Sequence, residues 1–146
     1  MQPERKTNIL LVDDGPAKLM ALEAALSALK QNLVTATSGK EALRALLAQD
    51  FAVILLDVRM PVMDGFETAT LIRQRQKSAH TPIIFVTAID HTETQAFKGY
   101  SLGAVDYICA PIVPEVLRAK VAVFVELHKQ AEELRESEQQ LRATFD

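Results

Sequence analysis

Along most of the chain, short apolar runs alternate with stretches whose apolar positions recur every three to four residues. Asn8–Val12 is a short run of buried-strand type. After it, Leu19, Leu22, Leu26 and Leu29 fall on one face of a helix that Pro16 can start, because a proline's fixed φ suits the first helical turn. Asn32–Ala36 reads as a second strand, and residues 39–49 as a helix with Ala42, Leu43, Leu46 and Leu47 on one side. Residues 52–56 form the most apolar strand, followed by a helix over 66–76. Residues 82–86 are a fourth strand, whose Pro82 is tolerated at the first position. Thr92 and Gln95 have capping-box spacing and open a fourth helix, which Gly103 can stop. Residues 105–109 give a fifth strand, and from Pro114 the pattern is helical to the end.

Five strand–helix units in a row imply an α/β fold, a parallel sheet with helices on both faces. Burial on both faces explains why the strands are solidly apolar rather than alternating. Right-handed crossovers leave few topologies, and the doubly wound order 2-1-3-4-5 is a common one for five strands. In that order strands 1 and 3 are neighbours, and ligands bind in the crevice beyond their C-terminal ends.

The strands run into chemically telling residues there. Strand 1 ends at Asp13 and Asp14, strand 3 at Asp57, strand 4 at Thr87, and strand 5 at Ala110 and Pro111. Three carboxylates in one crevice must raise a pKa or bind a cation. Ligands that are all oxygen suit Mg²⁺. Such a metal can draw in phosphate oxygens, and an aspartate such as Asp57 can serve as a nucleophile forming an acyl phosphate.

These segments resemble the response-regulator receiver family of two-component signalling. Residues 9–14 (ILLVDD), 55–65 (LLDVRMPVMDG), 85–88 (FVTA) and 103–107 (GAVDY) stand in the family's order and spacing, and the likeness runs from about Asn8 to Val125. It implies the flavodoxin-like receiver fold and makes Asp57 the phosphoacceptor. By the same resemblance Asp14 and the backbone carbonyl of Arg59 are direct ligands of Mg²⁺, with Asp13 acting mainly through water. Thr87 bonds a phosphoryl oxygen, and Tyr107 is the switch aromatic whose rotamer follows Thr87. The partner implied is a histidine kinase or a phosphotransfer domain. The chain departs from the family at Ala110, where a lysine normally pairs with the phosphoryl group. A charge-assisted hydrogen bond of that kind contributes about 1.5–3 kcal/mol. No other lysine or arginine stands at a strand end, and in the family the residue at Arg59 points outward.

Plainer readings stand beside these. Asp13 and Asp14 could cap the first helix, Asp57 and Thr87 could be turn residues, and Tyr107 could be a packed aromatic. Asp64-Gly65 reads as a turn and helix cap without chemistry, and Cys109 as a small hydrophobe. Two other functions compete with the phosphorelay receiver. One is a pseudo-receiver, a scaffold or dimerisation module uncoupled from phosphorylation by Ala110. The other is a Mg²⁺-dependent phosphohydrolase with an aspartyl nucleophile. Enzymes resembling the haloacid dehalogenase type carry a second aspartate two residues after the nucleophile, and here that position is Arg59.

The 146 residues make one domain with some chain left over: a receiver over residues 1–125 and a C-terminal helical extension over 126–146. Leu127, Leu134 and Leu141 recur every seven residues, with Phe124, Ala131 and Phe145 near the companion positions and Glu138 interrupting. That stripe predicts a coiled-coil seam and a homodimer. A solvated helix without a partner is the alternative. The helix reaches Asp146 without a cap, which suggests a piece of a longer protein. Receivers of this kind resemble modules of hybrid sensor kinases or regulators, and the resemblance makes a histidine kinase a candidate parent. The net charge of −3 and the absence of a Lys/Arg cluster argue against a nucleic-acid surface. The single cysteine fits a reducing compartment, and no apolar run has membrane length. The expected location is the cytoplasm.

Overall fold

The computed structural model describes residues 5–87, 101, 103–104, 106–109 and 111–145. The helix expected from Thr92 and the position of Ala110 lie outside them. Five parallel strands form one sheet in the order β2-β1-β3-β4-β5. The strands are β1 (Asn8–Val12), β2 (Asn32–Ala36), β3 (Val53–Asp57), β4 (Ile83–Thr87) and β5 (Asp106–Cys109). Helices α1 (Pro16–Leu26), α2 (Gly39–Ala48), α3 (Gly65–Gln74) and the C-terminal helix α4 (Pro114–Phe145) connect or follow them. The topology is the doubly wound one read from the sequence, with the switch point between β1 and β3.

The period of two in a strand explains how the sheet is buried on both faces. Leu10, Val12, Ile54, Leu56, Ile83 and Phe85 point into a core shared with α2 and α3. The residues between them, including Ile9, Leu11, Val53, Leu55, Ile84 and Val86, point into a second core with α1 and the C-terminal helix. Each fully buried aliphatic side chain here contributes about 1.5–3 kcal/mol, so the central strands anchor the molecule. From the C-terminal helix, Leu117, Val121 and Val125 enter the second core, with Phe124 half-buried against it. Arg118 fastens the same helix to α1 by donating to the Ala25 carbonyl at 3.0 Å.

Several boundaries move by a residue or two. β3 begins at Val53 and includes Asp57, which pairs in register with Val86. α3 starts at Gly65 and gives way to a short 3₁₀ turn at Gln76–Ser78. Leu47, expected on the inner face of α2, is instead 66% exposed. The buried face of α2 is made by Gly39, Ala42, Leu43 and Leu46, with Ala45 partly buried beside it, and Leu47 falls at the edge of that face. Gly103 has φ of 81°, a left-handed conformation that suits the stop expected there. Arg73 donates to its carbonyl at 2.9 Å and to that of Thr81 at 2.7 Å, tying the end of α3 to the segments leading into β4 and β5.

Beyond Val125 the helix leaves the sheet. Leu127, Leu134 and Leu141 are all more than half exposed. The extension is held to the body on one side, where Arg5 forms an ion pair with Glu136 at 2.8 Å and a longer one with Glu132.

Candidate functional site

The C-terminal edge of β1 and β3 gathers the carboxylates. The Asp13 backbone N–H still bonds the Ala36 carbonyl at 3.1 Å, so Asp13 continues the β1 ladder and is buried. Asp14 follows it and is exposed. Asp57 is the last residue of β3 and is 3% exposed. Asp13, Asp14 and Asp57 each bring a carboxylate oxygen to within 4.8 Å of the others.

The helix-capping reading of the paired aspartates does not hold. The N-cap of α1 is Gly15, without a side-chain cap. Asp13 Oδ1 instead accepts the Gly15 N–H at 2.8 Å, which fixes its rotamer toward the crevice. Asp64 is the cap of α3, in a capping box with Glu67. It takes no part in the acidic cluster.

One oxygen of Asp57, Oδ1, accepts a long bond of 3.4 Å from the Arg59 N–H. The other, Oδ2, is buried and has no hydrogen-bond partner among the described residues. An orphaned carboxylate oxygen is costly in a dry site unless a cation or donor reaches it. Burial pushes the Asp57 carboxyl up to about 6, with the Asp13 charge acting in the same direction; Lys18 and the Arg59 N–H oppose the rise. Burial also raises Asp13, against the Gly15 hydrogen bond and the charge of Lys18. Three hard oxygen donors, one of them unsatisfied, fit Mg²⁺ rather than a softer metal.

Thr87 ends β4 beside Asp57 and is buried. It shares with Asp57 and Asp13 a cavity of about 260 Å³ whose other walls include Leu22, Val86 and Ile112. Tyr107 lies on the neighbouring β5, in register with Phe85. Its ring packs on Phe85 with centroids 6.1 Å apart, so it is a half-buried aromatic of the first core. Burial pushes its phenol up, and a side-chain hydrogen bond with Thr87 works the other way. Arg59 is exposed, as expected. Ala110 lies outside the described residues.

Lys18 also lines the 260 Å³ cavity, and the strand-end reading of the sequence passed over it. It belongs to α1, two residues after Pro16. The available signal was its place in a helix that begins directly after the paired aspartates.

The response regulator receiver domain model matches residues 9–122. The response regulator PleD of Caulobacter vibrioides is 37% identical over 131 residues, which is 89% of this chain and 28% of PleD. The chain thus spans little more than a quarter of the length of the curated relatives it first matches. Among solved structures, the chemotaxis protein CheY4 of Vibrio cholerae superposes with a TM-score of 0.77 at 29% identity, over 82% of this chain and 99% of that one. The receiver domain of the sensor histidine kinase PA1611 of Pseudomonas aeruginosa, with a magnesium ion coordinated in its active site cleft, gives 0.75 at 28% identity, over 84% and 99%. With the family's sheet order, and its acidic residues at the ends of β1 and β3, this chain belongs to the response regulator receiver domains.

Proposed function

We propose that this receiver accepts a phosphoryl group on Asp57, in the presence of Mg²⁺, from a phosphohistidine of a histidine kinase or phosphotransfer domain. The observation that carries the reading is the buried Asp57 Oδ2, which has no hydrogen-bond partner among the described residues, with two further carboxylates within 4.8 Å. Asp14, Asp57 and the Arg59 carbonyl would hold the metal directly, and Asp13 through water. When bound, Mg²⁺ supplies positive charge that offsets the carboxylates and the oxygens of the transferred group.

The protein's own residues divide the remaining work. Asp57 is largely ionised at neutral pH despite its raised pKa, so it can act as the nucleophile. Its oxygen forms a bond to phosphorus as the N–P bond of the donor breaks, and the imidazole leaves with the electron pair. The Asp13 rotamer is locked by Gly15, which keeps the acidic cluster assembled before the donor arrives. Thr87 donates its hydroxyl to a phosphoryl oxygen, and Tyr107 follows Thr87. The change then passes from β5 into the C-terminal helix.

The chain's length relative to its relatives supports a module of a larger regulator or hybrid sensor kinase. Residues 1–125 act as the receiver and 126–146 as an extension that pairs with a second copy through the exposed leucine stripe. Among the described residues no helix is long and apolar enough to cross a membrane. We place the module in the cytoplasm, where histidine kinases present their phosphoryl donors.

A pseudo-receiver that works as a scaffold remains the second reading, favoured by alanine at position 110. Incubation with Mg²⁺ and acetyl phosphate, followed by intact mass measurement, separates the two. The expected result is one added phosphoryl group, absent in Asp57→Asn. No addition to the wild-type chain would favour the scaffold.

A further inference from the structure

We propose that Lys18 supplies the positive charge that pairs with the phosphoryl group on Asp57, doing from α1 what a lysine at position 110 does elsewhere in the family. This inference rests on the proposed phosphoacceptor role of Asp57 and adds to it the residue that stabilises the modified state.

The geometry is specific. The cavity that holds Asp57 and Thr87 has two kinds of wall. Leu22, Val86 and Ile112 are apolar and suit the methylene stem of a lysine. Asp13, Asp57 and Thr87 are polar and lie where a phosphoryl group would sit. Among the described residues, Lys18 is the one cationic side chain that lines the cavity. The stem folds back over Gly15. A point one Cβ bond out from Gly15 lies 3.7 Å from Lys18 Cδ and Cγ and 3.4 Å from Asp13 Oδ1, so lysine and carboxylate converge on the same space.

Among the described residues the Lys18 ammonium has no carboxylate within 4.0 Å. It is close enough for its field to act on Asp13 and Asp57, yet it is not spent on an ion pair. Lysine is a compact charge on a flexible stem, and a phosphoryl group brings oxygens outward from the aspartate toward it. The cavity of about 260 Å³ leaves room for that movement. Lys18 and Arg59 are both exposed, but Lys18 lines the cavity, whereas Arg59, the cation nearest to Asp57 in sequence, does not and meets Asp57 through its backbone N–H.

The alternative is that Lys18 only softens the repulsion among three carboxylates while the metal is away. The two roles separate experimentally. A mere counter-charge, once removed, should tighten Mg²⁺ binding and leave the phosphorylated state unaffected. A phosphoryl partner, once removed, should weaken that state.

The test compares wild type, Lys18→Ala and Lys18→Arg in the full chain. Phosphorylation by acetyl phosphate with Mg²⁺ is followed by intact mass. Affinity for beryllofluoride, a phosphoryl mimic that needs no turnover, is read by NMR shifts at Thr87. Mg²⁺ affinity is titrated separately. Lys18→Ala should lose about tenfold or more in both the phosphorylation rate and beryllofluoride affinity, while binding Mg²⁺ as well as the wild type or better. Lys18→Arg should recover most of the loss. Phosphorylation and beryllofluoride binding in Lys18→Ala equal to wild type would overturn the role of Lys18 and leave Asp57 as acceptor. A wild-type chain that takes neither phosphoryl group nor beryllofluoride would overturn the phosphoacceptor reading, and the Lys18 assignment with it. Weakened Mg²⁺ binding in Lys18→Ala would show a disrupted site and also count against the proposal.

Discussion

Gly65 stands against Asp57 with no room for a side chain: a Cβ on Gly65 would come 2.2 Å from the Asp57 carbonyl oxygen. Its N–H also bonds the Val58 carbonyl at 2.8 Å. The first residue of α3 therefore clamps the chain where it leaves β3 and fixes the height of the candidate phosphoacceptor. Gly65→Ala should push β3 and α3 apart. The expected cost is about 1–3 kcal/mol, with a matching loss of phosphorylation. Urea unfolding and intact mass after acetyl phosphate treatment check both; an unchanged midpoint would show that the loop gives way without moving Asp57.

Asp57 should make stability pH-dependent with an unusual sign. Its native pKa, about 6, lies above the ordinary 3.8. Between those values the folded state binds more protons than the unfolded chain, so stability falls as pH rises through that window and stays reduced above it. Asp57→Asn removes the penalty. Without Mg²⁺ at about pH 7.5 the variant should be more stable by roughly 1–3 kcal/mol, and the gap should close by about pH 4. Added Mg²⁺ should stabilise the wild type and not the variant. Parallel urea titrations across this pH range are the measurement, and equal stability at every pH would contradict the buried-carboxylate account.

Val62 carries a cost of its own. It is fully exposed and has φ of 71°, a left-handed conformation that a β-branched residue adopts only under strain. Glycine relieves that strain and forfeits no packing. Val62→Gly is expected to raise stability by about 1 kcal/mol, seen as a higher urea midpoint with the same slope. A lower midpoint would mean that chain entropy outweighs the relieved strain.

The extension offers a separate test. Leu134 and Leu141 are 62% and 56% exposed on one stripe of the helix, beyond the last residue that enters the core. Leu134→Lys with Leu141→Lys should leave the receiver folded and convert a dimer to a monomer in sedimentation. A wild-type chain already monomeric at high micromolar concentration would remove the coiled-coil reading.

Position 110 connects the sequence to the Lys18 assignment. Ala110→Lys should raise the phosphorylation rate of the wild type by about tenfold, and it should also restore the Lys18→Ala variant. Rescue of neither would indicate that the strand 5 end no longer reaches the phosphoryl group.

The alternation of apolar runs and helical periods determined a parallel sheet with helices on both faces, because burial on both faces leaves a local mark on the central strands, while the strand order was one common choice among few topologies. β1, β2 and the C-terminal helix begin and end where the pattern places them. The meeting of Asp13, Asp14 and Asp57 was also legible, since it follows from strand ends once the order is known. Tertiary structure decided what depends on the azimuth and tilt of helices. Leu47 has the same apolarity as Leu46 but is exposed, because it sits at the edge of the face that α2 turns to the core. Capping of α1 passed to Gly15, leaving Asp13 free to turn inward. Lys18 reads as an ordinary solvent-facing helix residue and is exposed, and only the tertiary structure places it on the rim of the cavity that α1 shares with the ends of β3 and β4. A strand states its face in its own period of two, but a lysine's reach across a cavity depends on where other elements come to rest.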